Sequence, residues 1–137
     1  MIVRGTLRLD KRTKNLAKRL KKGDIALIDH IDIDSTAARM LVEAGVAAVI
    51  NAAQSCSGRY PNLGPTVLLD AGIPLIDAVG DETFTGFREG EQVELRGDAI
   101  CRTGEMVQEG ELLTAERVSS LYEKTRANLG YALETIA

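Results

Sequence analysis

Tryptophan is absent from this sequence, and aromatic residues make up only 4% of it, so its core must be aliphatic. Cysteine is almost as scarce: Cys56 and Cys101 stand alone and form no metal-type or redox-type pair. With a single histidine, His30, to join them, the composition argues against a structural zinc site. No apolar run approaches the length needed to span a bilayer, and no signal-peptide pattern precedes the first strand. The cytoplasm is the expected compartment.

What is present suits a soluble domain. The chain has 137 residues, 45% hydrophobic and 27% charged, which fits one domain plus an appendage better than two full domains. The net charge of −3 hides an asymmetry, since residues 1–22 carry +8 and the remainder −11. Such a basic lead segment can attract nucleic acid or an anionic membrane, or dock on acidic groups of its own chain or a partner. The basic residues have no aromatic residues among them and match no nucleic-acid motif, which favours docking over nucleic-acid binding.

Periodicity predicts an alternating β and α order. Ile2–Leu9 reads as a strand, placed at a sheet edge, and Leu16 and Leu20 sit at helical spacing. Ile25–Ile28 is a short apolar run suited to a buried strand, followed by a helix over Ser35–Ala44, capped by Asp34 or Ser35 and stopped by Gly45. Val46–Ile50 is the next strand, then a helix over Pro65–Ala71 and a strand at Ile73–Ile76. This order predicts a three-stranded parallel βαβαβ core with right-handed crossovers. Glycine turns then separate Gln92–Arg96, Ala99–Arg102 and Glu105–Gln108, the pattern of an antiparallel tail. Last comes a long helix over Thr114–Ile136. Its apolar stripe, which includes Val118, Leu121, Tyr122, Leu129, Ala132, Leu133 and Ile136, is still running at the final residue. The stripe is expected to meet a second copy, a following domain or its own domain.

The candidate site is the loop from Ser55 to Pro65. A buried strand empties into it and a helix leaves it, with Pro65 in the first turn and Asn62 or Gly64 placed to cap. Backbone N–H groups at Ser57 and Gly58, the helix dipole and the Arg59 guanidinium then converge on a place for a phosphate. Tyr60 is either part of that site or a half-buried anchor, and Arg59 either holds an anion or pairs with a carboxylate. Ligands of α/β sheets lie beyond the carboxyl ends of the parallel strands, which brings in His30 from the preceding strand end. Asp32 and Asp34 are candidates for Mg²⁺ accompanying a nucleotide or phosphate, or for capping and bridging roles. No activated nucleophile is evident among Ser55, Cys56 and Ser57.

Two resemblances rest on these residues. Gly23–Ile28, Val46–Ile50, Ser57-Gly58, Ala71–Pro74 and Glu89–Val93 occur in the order found in the swivelling phosphohistidine-type domain of phosphoenolpyruvate-utilising enzymes. That resemblance implies a swivelling β/β/α fold over about residues 23–102. The phosphocarrier histidine of that family would fall near Asn62 or Leu63, where there is none, so phosphohistidine chemistry is not implied. The second resemblance covers nearly the whole chain. Arg12–Lys14, Gly23–His30, Ser57–Pro65 and Ala71–Asp77 resemble the N-terminal region of SteA-like proteins, described as cytokinetic ring proteins related to thiamin pyrophosphokinase. It implies a swivelling-type domain over residues 1–110 and a helix over 111–137 leading to a pyrophosphokinase-like domain. It further implies a non-catalytic regulatory, ligand-binding or interaction role linked to cell division and cell-wall hydrolase control. The alternative is that these residues complete an active site for nucleotide-dependent (di)phosphoryl transfer. Partners implied are the downstream domain, a second copy through the last helix, and a membrane or division protein for the full-length protein.

Overall fold

A computed structural model describes the backbone of residues 2–136 and the side chains of residues 2–129. Among the described residues, eight strands form one sheet in the order β7-β6-β5-β1-β2-β3-β4-β8. The strands are β1 (Ile2–Leu9), β2 (Ile25–Ile28), β3 (Ala48–Asn51), β4 (Leu75–Asp77), β5 (Gln92–Arg96), β6 (Ala99–Arg102), β7 (Glu105–Glu109) and β8 (Glu111–Leu112). Five helices join them: α1 (Thr13–Ala17), α2 (Ser35–Ala44), α3 (Gly64–Asp70), α4 (Thr83–Gly86) and α5 (Ala115–Ile136). The result is a mixed α/β fold with parallel strands, an antiparallel flank and a C-terminal helix.

The parallel core has four strands rather than three, because β1 belongs to it. Leu7 lies opposite Ile25 in the parallel pairing of β1 with β2, while Ile2 to Thr6 pair antiparallel with Arg96 to Gln92 of β5. The edge placement expected from sequence is therefore corrected: β1 is the seam between the parallel and antiparallel halves. Arg4 and Arg8 make the strand look solvent-facing, but acids from distant segments meet them. Arg4 pairs with Glu94 at 3.4 Å, and Arg8 with Asp24 at 3.5 Å and Glu89 at 3.3 Å. Arg19 also reaches Glu89, so the basic lead segment is docked on acids of its own chain.

β2, β3 and β4 are buried at every position, as strands covered on both faces are, which explains their apolar runs. One face carries Ala26, Ile28, Val49 and Leu75 against Leu16, Leu41, Leu68 and Val118 of the helices. The other carries Ile25, Leu27, Ile50 and Ile76 against Phe87, Val93, Leu95 and Ile100. Antiparallel strands thus cover the face that the four longer crossover and terminal helices leave open. Gly110 alone separates β7 from β8, which lie at opposite ends of the strand order, so the sheet curls until its edges approach.

Local chemistry sets the element ends. The Asp34 carboxylate accepts the Ala37 N–H at 2.7 Å, and Gly45 ends α2 at φ 77°. At the start of α3, neither Asn62 nor Gly64 makes a side-chain cap; the N-cap position is Leu63. Gly64 lies so close to Ile33 that an added Cβ would stand 2.2 Å from its carbonyl oxygen. In α5, Val118 and Thr125 are buried while Leu129 is 40% exposed. The side chains of Ala132, Leu133 and Ile136 lie outside the described residues, so the far end of the expected stripe is untouched by these observations. Among the described residues, no helix is long and apolar enough to cross a membrane.

Gly64→Ala should cost roughly 1–3 kcal/mol by forcing α3 off the Ile33 carbonyl. Gly110→Ala should act similarly, since its Cβ would meet the Asp77 carbonyl at 2.4 Å. Gly86→Ala, with nothing within 4 Å of the new methyl, should leave stability nearly unchanged. Urea-unfolding midpoints compare the three variants, and equal midpoints would contradict this packing.

Candidate functional site

The carboxyl ends of β2 and β3 are neighbours, so their following loops face each other as expected from strand order. What joins them is a set of side-chain hydrogen bonds that sequence reading did not anticipate. Asn51, fully buried, ends β3. Its Oδ1 accepts the His30 and Ala53 N–H groups, each at 3.1 Å. Its Nδ2 donates to the His30 carbonyl at 2.9 Å and the Ser55 hydroxyl oxygen at 2.8 Å. Ser55 in turn donates its hydroxyl and its backbone N–H to Asp77 Oδ1, at 2.7 and 2.9 Å. Three strand ends are thereby linked through one chain of donors and acceptors.

A second link lies nearer the surface. Asp32, held at φ 50°, accepts the Ser57 N–H on one oxygen and the Ser57 hydroxyl on the other, both at 2.6 Å. Asn62 donates to the carbonyls of Ile33 at 3.0 Å and Ser55 at 2.6 Å. The expected bridge between the acidic loop and the Ser57 loop is present, but serine makes it and arginine does not.

The named residues therefore separate into two groups. Asp32, Ser57 and Asn62 come together as fasteners between loops, with Gly58 turning the chain at φ 91°. Arg59 and Tyr60 stand outward, and Tyr60 is 67% exposed. His30 turns toward α1, where its Nδ1 meets the buried Thr13 hydroxyl at 2.9 Å. The start of α3 does not form the phosphate cradle read from sequence: the Gly64 N–H donates to the Ile33 carbonyl at 3.1 Å, and Pro65 has no N–H to offer. As for Mg²⁺, both oxygens of Asp32 are engaged by Ser57 and one oxygen of Asp34 caps α2. Among the described residues, no cluster of three or more His, Cys, Asp or Glu is gathered for a metal.

Electrostatics at these strand ends oppose nucleophilic chemistry. Burial, reinforced by the charges of Asp77 and Asp32, pushes the Cys56 thiol up to about 11. At neutral pH it is protonated and poorly nucleophilic. Burial likewise holds the Asp77 carboxyl above its usual range, opposed by the two bonds from Ser55. Sequence reasoning missed Asn51 and Asp77. Their one signal was a polar residue closing an otherwise apolar strand.

With this geometry in hand, the chain can be set beside known proteins. No protein-family model matches it, and no curated protein does. Among solved structures it is similar to 3-isopropylmalate dehydratase from Methanocaldococcus jannaschii, with a TM-score of 0.54 and 14% identity. The match covers 96% of this chain and 99% of that one. At that identity the likeness shows a common α/β fold and carries no substrate with it.

Cys56 should react with iodoacetamide at pH 8 roughly a hundredfold more slowly than an ordinary exposed thiol, given its scarce thiolate. Asp77→Asn keeps an oxygen for both Ser55 donors while deleting a charge, so alkylation should speed up several-fold. The same change should affect stability. Because the folded carboxyl titrates above the unfolded one, its ionisation opposes folding as pH rises. The Asn variant should therefore gain melting temperature over the unaltered protein on going from pH 4 to pH 8. Parallel melting curves at both pH values would refute this.

Proposed function

We propose that this chain is a non-catalytic regulatory and interaction domain that acts through the outward Arg59–Tyr60 loop. The observation carrying this reading is that the polar side chains at the strand ends are consumed in fastening loops. Ser55 donates to Asp77, Ser57 donates to Asp32, and the Cys56 thiol is pushed away from its reactive form. Arg59 and Tyr60, by contrast, stand outward, and an exposed arginine beside an exposed tyrosine is the composition of a binding hot spot. The fastened loops would present that pair on a rigid base, lowering the entropy cost of association.

In finer terms we read the fold as a swivelling β/β/α type and the chain as the N-terminal domain of a SteA-like protein. Support for the first comes from helices on one face of a curled sheet and antiparallel strands over the other. Support for the second is the resemblance carried by Ser57–Pro65 and its neighbouring segments. On this reading the domain works in the cytoplasm, in cell division and the control of cell-wall hydrolysis, with a pyrophosphokinase-like domain as its partner. Residues 1–110 form its body, and α5 leads toward that partner and pairs with a second copy through the half-exposed Leu129.

Calorimetry with the separately produced pyrophosphokinase-like domain of a SteA-like protein tests the loop. Arg59→Ala combined with Tyr60→Ala should weaken association at least tenfold with an unchanged circular dichroism spectrum. Equal affinity would place the contact elsewhere. For α5, the unmodified chain should sediment as a dimer at high concentration and Leu129→Glu as a monomer; a monomeric unmodified chain would remove the pairing.

A further inference from the structure

The lead segment's cations do not all serve the fold. Arg4, Arg8 and Arg19 are matched by Glu94, Asp24, Glu89 and Asp10. Among the described residues Arg12 and Lys14 have no such match, and Lys11 lies 5.7 Å over the Phe84 ring. All three line one groove of about 380 Å³ at the carboxyl end of β2, which His30, Thr36, Ala37 and Met40 complete. We propose that this groove binds a small organic phosphate, with the phosphate held by Arg12, Lys14 and His30 and the apolar part lying on Met40 and Ala37.

The chemistry of the lining carries this assignment. A guanidinium and an ammonium flank the opening, and charge-assisted bonds to phosphate oxygens are among the strongest available to a protein. His30 Nδ1 is held by Thr13 at 2.9 Å, which fixes the ring and leaves Nε2 as its remaining polar atom. Asp29 and Asp34 also line the groove, and they oppose an anion. Asp34 is turned to its own helix, accepting the Ala37 N–H at 2.7 Å, so its charge offsets the dipole of α2 there. Arg12 and Lys14 match the two acids in number, and Lys11, whose ammonium stands over Phe84, adds a third cation along the lining. The volume lies within the range of small-molecule sites. A second groove shares Lys14 and Met40 with the first and reaches Lys18, Leu20 and Glu43, leaving room for a longer apolar substituent.

This assignment stands apart from the partner reading, because the two use different residues. The test titrates the chain with inorganic pyrophosphate at low ionic strength in a calorimeter. One equivalent should bind. Arg12→Ala combined with Lys14→Ala should weaken binding at least tenfold, whereas Lys14→Arg and Arg59→Ala should leave it within twofold. Arg12 and Lys14 are exposed, so melting curves of the double variant should match those of the unaltered chain. Undiminished affinity in the double variant, loss on Arg59→Ala instead, or tighter binding of duplex DNA than of pyrophosphate would each overturn the proposal.

Discussion

A single buried amide holds the loops at the carboxyl ends of the parallel strands in shape. Asn51 has no access to water, and each of its side-chain polar atoms bonds both the His30 backbone beyond β2 and the loop that follows Asn51 itself. An amide left unpaired at such a depth would cost the full desolvation of its dipole, so its partners are fixed as firmly as it is. Through it the exit of β2 is tied to the exit of β3, and through Ser55 both are tied to Asp77 at the end of β4. The Asp32–Ser57 and Asn62 bonds then build outward on this base. The loops beyond the sheet are consequently a continuation of the sheet's order.

That arrangement divides labour between two ends of the same crevice. On the β3 side, polar chemistry is turned inward, and the exposed arginine and tyrosine are presented on a stiffened loop. On the β1 side, the lead segment satisfies acids of its own chain with three arginines and places Lys11, Arg12 and Lys14 along the groove beside His30. The charge asymmetry is therefore resolved locally: part of it is structural neutralisation and part a concentrated positive groove.

How much of this was legible beforehand depended on the range of the interactions involved. β2, β3, α2 and the antiparallel run β5 to β7 announced themselves through apolar runs, an aspartate cap and glycine turns, all signals contained within a few residues. The seat of β1 was not legible, because Arg4 and Arg8 mark a surface strand until Glu94 and Glu89 are known to stand beside them. β8, with two residues, is too short to have a period. The loop after β3 was read as a candidate site from its glycine, arginine and asparagine. What Asn62 does there was not readable, since its acceptors are backbone carbonyls, one of them in another loop. Nor could Gly64 be read as a point of contact with Ile33, because a missing side chain leaves the same trace whether it frees a turn or admits a neighbour.

The seam strand has a consequence in time as well as in space. β1 is synthesised before the other strands of this sheet, yet its antiparallel partner ends at Arg96, and the second acid of Arg8 is Glu89. One edge of β1 can pair with β2 early, while the other stays open until β5 has been made. Long-range pairing of this kind slows folding, and an open strand edge invites pairing with other chains. Arg4 and Arg8 sit on that waiting edge. Until Glu94 arrives Arg4 keeps it charged, while Arg8 already has Asp24 from the turn before β2, so residues that later tie the two halves of the sheet together first serve to keep nascent chains apart.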